Sequence, residues 1–302
     1  MAAAFFYPLP NLYRTGGVRS IKLFLYKKFI YLYLITLCNT TAPMKTPYFY
    51  AEAPPFVPPP SVSDTLKRLW LFARHPQPVQ REQNVVEVKL PLIFQLSLIE
   101  LMLQSVLLLL LSTVYNLLDL QTDGQYIPQE LLDSTSFTLL FVAVVLVGPL
   151  KEELIFRLPL VYSKGFLAVA LAVFLFNYGP TVATAAGAAP LHFLLAALAL
   201  VTLAAVYLRS SSLQTRVHLL WKRHFGLVFY TSCVLFALLH LVNYQNIHLP
   251  LFLALLLVLP KFVGGFFLGY TRLRLGLAWA VGQHMFINAI ALLLLYGYLS
   301  GL

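Results

Sequence analysis

Long apolar runs dominate the chain, at roughly 90–117, 139–162, 165–182, 186–208, 228–246, 250–269 and 275–299. Each is near the length, about 20 residues, that an α-helix needs to cross a bilayer. None shows the two-residue alternation of a barrel strand, and only helices or closed barrels satisfy their backbone in lipid. The pattern predicts an all-α fold, a polytopic membrane helix bundle of about seven transmembrane helices. An eighth arises if residues 20–38 are counted, although Lys22, Lys27 and Lys28 interrupt that run.

Residues 1–89 read as a basic, proline-containing N-terminal region, and residues 90–302 as the transmembrane domain. Residues 53–63 (APPFVPPPSVS) form an extended linker, because proline fixes the backbone and cannot donate to a ladder. Residues 64–89 are polar and basic, as expected of a cytoplasmic surface. Met44 offers a second start, so residues 1–43 stand either as an upstream extension of the reading frame or as a functional part. No clean signal-peptide cleavage site follows the apolar run at 20–38.

Composition agrees with the pattern: 60% of the 302 residues are hydrophobic and 11% are charged. Soluble domains carry roughly 45–50% apolar and about 25% charged residues. Cys38 and Cys233 are the only cysteines, which excludes a disulfide framework and a four-thiolate metal site. The net charge of +10 raises nucleic acid as a partner, but +7 of it lies in residues 1–89. The rest alternates. Residues 118–138 hold four acids and no Lys or Arg, whereas Lys164, then Arg209–Arg223, then Arg272 and Arg274 occupy alternate connections. This is the positive-inside pattern of a multi-pass protein, with basic loops facing the cytoplasm. It predicts the lipid bilayer as partner and no nucleic acid.

Ionisable residues inside spans are expensive, so each needs an account. No Asp or Glu follows Glu153, so carboxylate chemistry in the later spans depends on Glu152, Glu153 or an earlier acid. Running the second span to Tyr162, with Pro149 and Pro159 inside it, puts Glu152 about 15–18 Å from the cytoplasmic side. Glu153 and Arg157 are four apart, share a helix face and predict an ion pair. Glu152 points about 100° away and keeps its carboxylate free. His240 and His284 fall at about the same depth in two other spans, and Asn288 shares a face with His284. Glu100, with Gln104 one turn on, and Lys261 also match in depth and predict a structural ion pair. His192 reads as a packing residue, and His75, His218, His224 and His248 as solvent-facing. Gly264, Gly265 and Gly269 offer a small-residue surface for close helix contact.

Glu152–Arg157 (EExxxR), Phe236–His240 (FxxxH) and His284–Asn288 (HxxxN) together resemble the three motifs of the CAAX protease and bacteriocin-processing family, which includes the type II CAAX prenyl endopeptidase. The resemblance covers about residues 135–299. Leu158 departs from it, where a Gly commonly follows the Arg. The resemblance implies an intramembrane endopeptidase that hydrolyses a peptide bond of a membrane-associated peptide or protein, with its site inside the bundle. It implies Glu152 as the base that activates water and His240 as its helper. His284 and Asn288 would stabilise the oxyanion, Glu153 and Arg157 would brace the site, and Phe236 would form a wall. Amide hydrolysis needs those parts: an activated water and donors aimed at developing charge.

Glu, His and His could also ligate Zn²⁺. A metal-free mechanism is the expectation, because a ligating Glu152 would leave no free base unless Glu153 abandoned Arg157. Two rival classes use the same residues differently. A transporter or channel would make them an ion path, although no repeat is visible, and a non-catalytic scaffold would keep the fold to bind a partner.

Overall fold

The computed structural model describes residues 60–117, 136–185, 187, 189–243 and 251–300. The run at 20–38, Met44, most of the proline-rich stretch, the acidic 118–135 connection and His248 lie outside the described residues. Among the described residues every regular element is helical. Helix α1 is Val62–Arg74, and a π turn, Val85–Lys89, leads into α2, Leu90–Leu117. Helix α3, Phe137–Phe141, passes through a π stretch, Val142–Val147, into α4, Gly148–Phe156. After a 3₁₀ turn at Leu158–Leu160 come α5, Lys164–Ala185, α6, Pro190–Arg209, and α7, Ser211–Arg223. Helix α8, Phe225–Leu239, ends in a 3₁₀ turn, His240–Asn243. The chain closes with α9, Leu251–Leu257, α10, Leu259–Arg274, and α11, Leu277–Ser300.

Among the described residues three helices are long and apolar enough to cross a membrane: Val85–Leu117, Leu191–Arg209 and Leu277–Gly297, with mean hydropathies of 2.0, 2.3 and 1.6. Lys164–Pro180 and Phe225–Leu239 are apolar but shorter. A membrane protein is therefore plausible, although length and composition do not reach seven spans. The shortfall has physical causes. The second predicted span ends at Phe156 rather than Tyr162, because Pro159 has no N–H and disfavours helix at the residue before it. Pro159 thus sits in a 3₁₀ turn, outside the helix in which the sequence reading placed it. The sixth predicted span breaks at Val258, one residue before Leu259-Pro260 opens α10.

Helix α6 carries the membrane argument furthest. None of its most apolar window is buried, and its main neighbours are α5 and α7. An isolated apolar cylinder of this kind is unfavourable in water but at home in hydrocarbon, where backbone groups are paired within the helix.

Helix α10 is the centre of the packing and lies against α2, α8 and α11. Its glycines let it do so. A Cβ on Gly264 would fall 2.9 Å from Gln104 Nε2 of α2, and one on Gly269 would fall 2.7 Å from the Phe229 ring of α8. In lipid such close packing, rather than transfer out of water, is what holds helices together.

Helix α1 begins at Ser61, whose hydroxyl accepts the Asp64 N–H at 3.1 Å. The sequence reading places residues 64–89 on a surface, yet Thr65, Leu69 and Phe72 are buried. Phe72 meets Phe229 edge-on, with centroids 4.9 Å apart, and Tyr270 at 5.1 Å. Gly276 turns the chain from α10 into α11 at φ 115°, a region costly for residues with a Cβ. The Arg81 side chain fastens to that turn, its Nε donating to Leu275 O at 3.1 Å. Among the histidines, His75, His192 and His224 are exposed. The packing role expected of His192 is therefore absent. His218, expected in solvent, instead stacks on Tyr162 with centroids 4.5 Å apart.

Candidate active site

The site begins with a backbone irregularity. In the π stretch before α4, Gly148 N–H bonds to Ala143 O, five residues back. The next carbonyl in that register belongs to Val144 and faces Pro149, which has no N–H to give. A buried carbonyl without a donor is costly. Asn288 of α11 supplies one, its Nδ2 donating to Val144 O at 3.1 Å. The last turn of α4 is completed in the same way. Ser232 Oγ donates to Phe156 O at 2.7 Å, and Arg272 Nε donates to Arg157 O at 3.2 Å. The short helix bearing the two glutamates is thus held at both ends by other helices.

Glu153 is fully buried and Arg157 almost so. Their predicted pair is present, with Arg157 Nε 3.5 Å from Glu153 Oε1. The other side of the guanidinium lies on the Phe236 ring, 3.9 Å from its centroid, where the negative face of the aromatic helps to balance the charge. Phe236 also meets His240 and His284 edge-on, at 4.7 and 5.9 Å between centroids. This places Phe236 as the wall on which both imidazoles rest.

The histidines are oriented by acceptors. His284 Nδ1 lies 3.0 Å from Glu153 Oε1, and a carboxylate can only accept, so Nδ1 carries the proton. Its Nε2 is 3.6 Å from Glu152 Oε2, so His284 stands between the two carboxylates. Glu152 is therefore less isolated than its helix position predicts. His240 begins the 3₁₀ turn after α8, where its N–H bonds to Ala237 O rather than to Phe236 O. The released Phe236 carbonyl accepts from His240 Nδ1 at 2.8 Å, which leaves Nε2 as a lone-pair acceptor.

Glu152, Phe236, His240, His284 and Asn288 line one small cavity. It has about 20 Å³ of room for the centre of a water molecule, and roughly 10–15 Å³ by that measure accommodates one. Glu153 and Arg157 stand behind this lining rather than in it. All seven residues singled out from the sequence are thus brought together from α4, α8, the turn after α8, and α11.

Glu100, Gln104 and Lys261 line the same cavity. The predicted Glu100–Lys261 ion pair is not formed within 4.0 Å. Glu100 instead accepts from Gln104 Nε2 at 2.9 Å and from Gln283 Nε2 at 2.7 Å, while Gln283 Oε1 accepts from Thr271 at 2.6 Å. Two neutral amides thus satisfy both oxygens of the carboxylate. Gln283, Thr271 and Ser232 escaped the sequence reading, and Arg272, read as part of a basic connection, is instead buried in the last turn of α10. The available signal was Gln283, a second polar residue beside His284 in an apolar helix.

Among the described residues no group of three or more His, Cys, Asp or Glu side chains could hold a metal ion. No family model matches the chain, and no curated protein or solved structure is significantly similar to it.

Proposed function

We propose that the chain is an intramembrane endopeptidase that hydrolyses a peptide bond of a membrane-associated peptide or protein. The observation that carries this reading is the convergence of Glu152, His240 and His284 on a water-sized cavity, with Glu153 orienting His284 from behind. A water held between Glu152 Oε2 and a histidine nitrogen meets the geometric requirement for general-base catalysis. Glu152 takes one proton from that water as its oxygen bonds to the carbonyl carbon of the scissile amide. The carbonyl pair moves onto oxygen. Collapse of the adduct breaks the C–N bond, and Glu152 returns the proton to the leaving amine. His240, with Nε2 open as an acceptor, holds the water in line.

The motif resemblance to the CAAX protease and bacteriocin-processing family supports the same reading. On it, the two shorter apolar helices, the α3–α4 segment and the α9–α10 segment complete a bundle of about seven spans, and the basic connections face the cytoplasm of a bacterial membrane. No step needs a metal. The test is proteomic: membrane peptides from cells carrying the wild type are compared with those from cells carrying Glu152→Gln. The reading expects cleavage products that vanish in the variant, and identical profiles would reject it.

A further inference from the structure

Lys261, near the start of α10, is buried and lines the cavity together with Glu152, His240 and Asn288. Glu152 and Glu100 are close enough to act on it by charge. Yet among the described residues no carboxylate oxygen comes within 4.0 Å of its ammonium, and no hydrogen bond to it is formed. Glu100 does not need it, because both carboxylate oxygens already accept from glutamine amides. Lys261 therefore stands on the cavity wall without an ion pair, placed to meet a negative charge that develops in the cavity. The usual oxyanion donors are partly committed. Asn288 spends one N–H on Val144 O, and both nitrogens of His284 face carboxylates.

We propose that Lys261 supplies the positive charge that stabilises the oxyanion of the tetrahedral adduct. The proposal rests on the endopeptidase reading and deepens it. When water adds to the amide carbon, the carbonyl oxygen becomes anionic inside a site lined by buried residues. There a fixed ammonium acts far more strongly than it would in water, and it needs no reorganisation. Lys261 keeps its proton throughout, while the proton taken from water travels by way of Glu152 to the amine.

The test uses the full chain in liposomes, with a peptide whose cleavage site comes from the proteomic comparison above. Lys261→Met is expected to lower kcat by about 10²–10³-fold, the usual cost of losing one oxyanion donor, with KM nearly unchanged. A phosphinic peptide, whose charged tetrahedral group copies the adduct, should lose affinity for the variant by a similar factor. Lys261→Arg should recover part of both. Lys261→Gln keeps a polar head and replaces the methionine variant if that one does not fold. If Glu152→Gln is inactive while Lys261→Met and Lys261→Gln cleave at the wild-type rate, the proposal fails and the endopeptidase reading stands. If Glu100→Gln restores turnover to Lys261→Met, Lys261 merely balances Glu100, and the proposal again fails. If the wild type cleaves nothing, both fall together.

Discussion

Asn288 donates its side-chain amide to the main-chain carbonyl of Val144, 3.1 Å away, at the point where Pro149 removes the donor that carbonyl would otherwise have. One hydrogen bond thus ties α11, which carries His284, to the helix that carries both glutamates. Removing it by Asn288→Leu leaves a buried carbonyl unpaired and should cost about 1–3 kcal/mol. Pro149→Ala returns an N–H to that turn and lets the π stretch relax. The double variant should therefore lose less stability than the two single losses added together, measured by thermal unfolding in detergent. Strict additivity would mean that the proline does not create the need for the asparagine.

The two adjacent glutamates should separate by stability. Glu153→Gln removes the charge facing Arg157, which is 1% exposed. Breaking a buried pair in this way typically costs about 3–5 kcal/mol, because the remaining charge has no water to turn to. Glu152 faces the cavity and, among the described residues, has no arginine partner, so Glu152→Gln should unfold close to the wild-type temperature. Equal destabilisation of the two variants, in a detergent melting assay, would contradict this division.

Leu198 lies near the middle of α6 and is 60% exposed. On a water-facing helix, Leu198→Lys would be harmless or solubilising. If α6 crosses the bilayer, the lysine adds about 2.5–3.5 kcal/mol to insertion at the helix centre. Protease protection of tags placed on either side of α6 distinguishes these cases. The account expects reduced insertion, and unchanged protection would argue that lipid does not surround this helix.

The site was legible in the sequence to the extent that polar residues are rare in apolar runs. Glu152, His240, His284 and Asn288 stand out because lipid tolerates such groups only when they have partners, and helical spacing alone places them at similar depth. What spacing does not carry is the path of the backbone between them. Pro159 was a local sign that the helix would end before it, but nothing local announces that His240 caps its own turn by bonding back to Phe236. Glu100 was matched in depth to Lys261, but depth leaves rotation about the helix axis open. Gln104 faces the carboxylate as its i, i+4 spacing predicts, and Gln283 takes the place expected of Lys261. The stack of His218 on Tyr162 lay beyond reach for a related reason: it joins α7 to the turn after α4, across two intervening helices.

The central claim is that Glu152 activates water for peptide-bond hydrolysis at the cavity shared with His240 and His284. Its most direct measure is turnover of a membrane-derived peptide by the purified protein in liposomes, wild type against Glu152→Gln, with both shown to be folded by their melting temperatures. Loss of a general base typically lowers the rate by about 10²–10⁴-fold, so the account predicts a fall of that size in kcat with little change in stability. A folded Glu152→Gln protein that cleaves the peptide at the wild-type rate would contradict it.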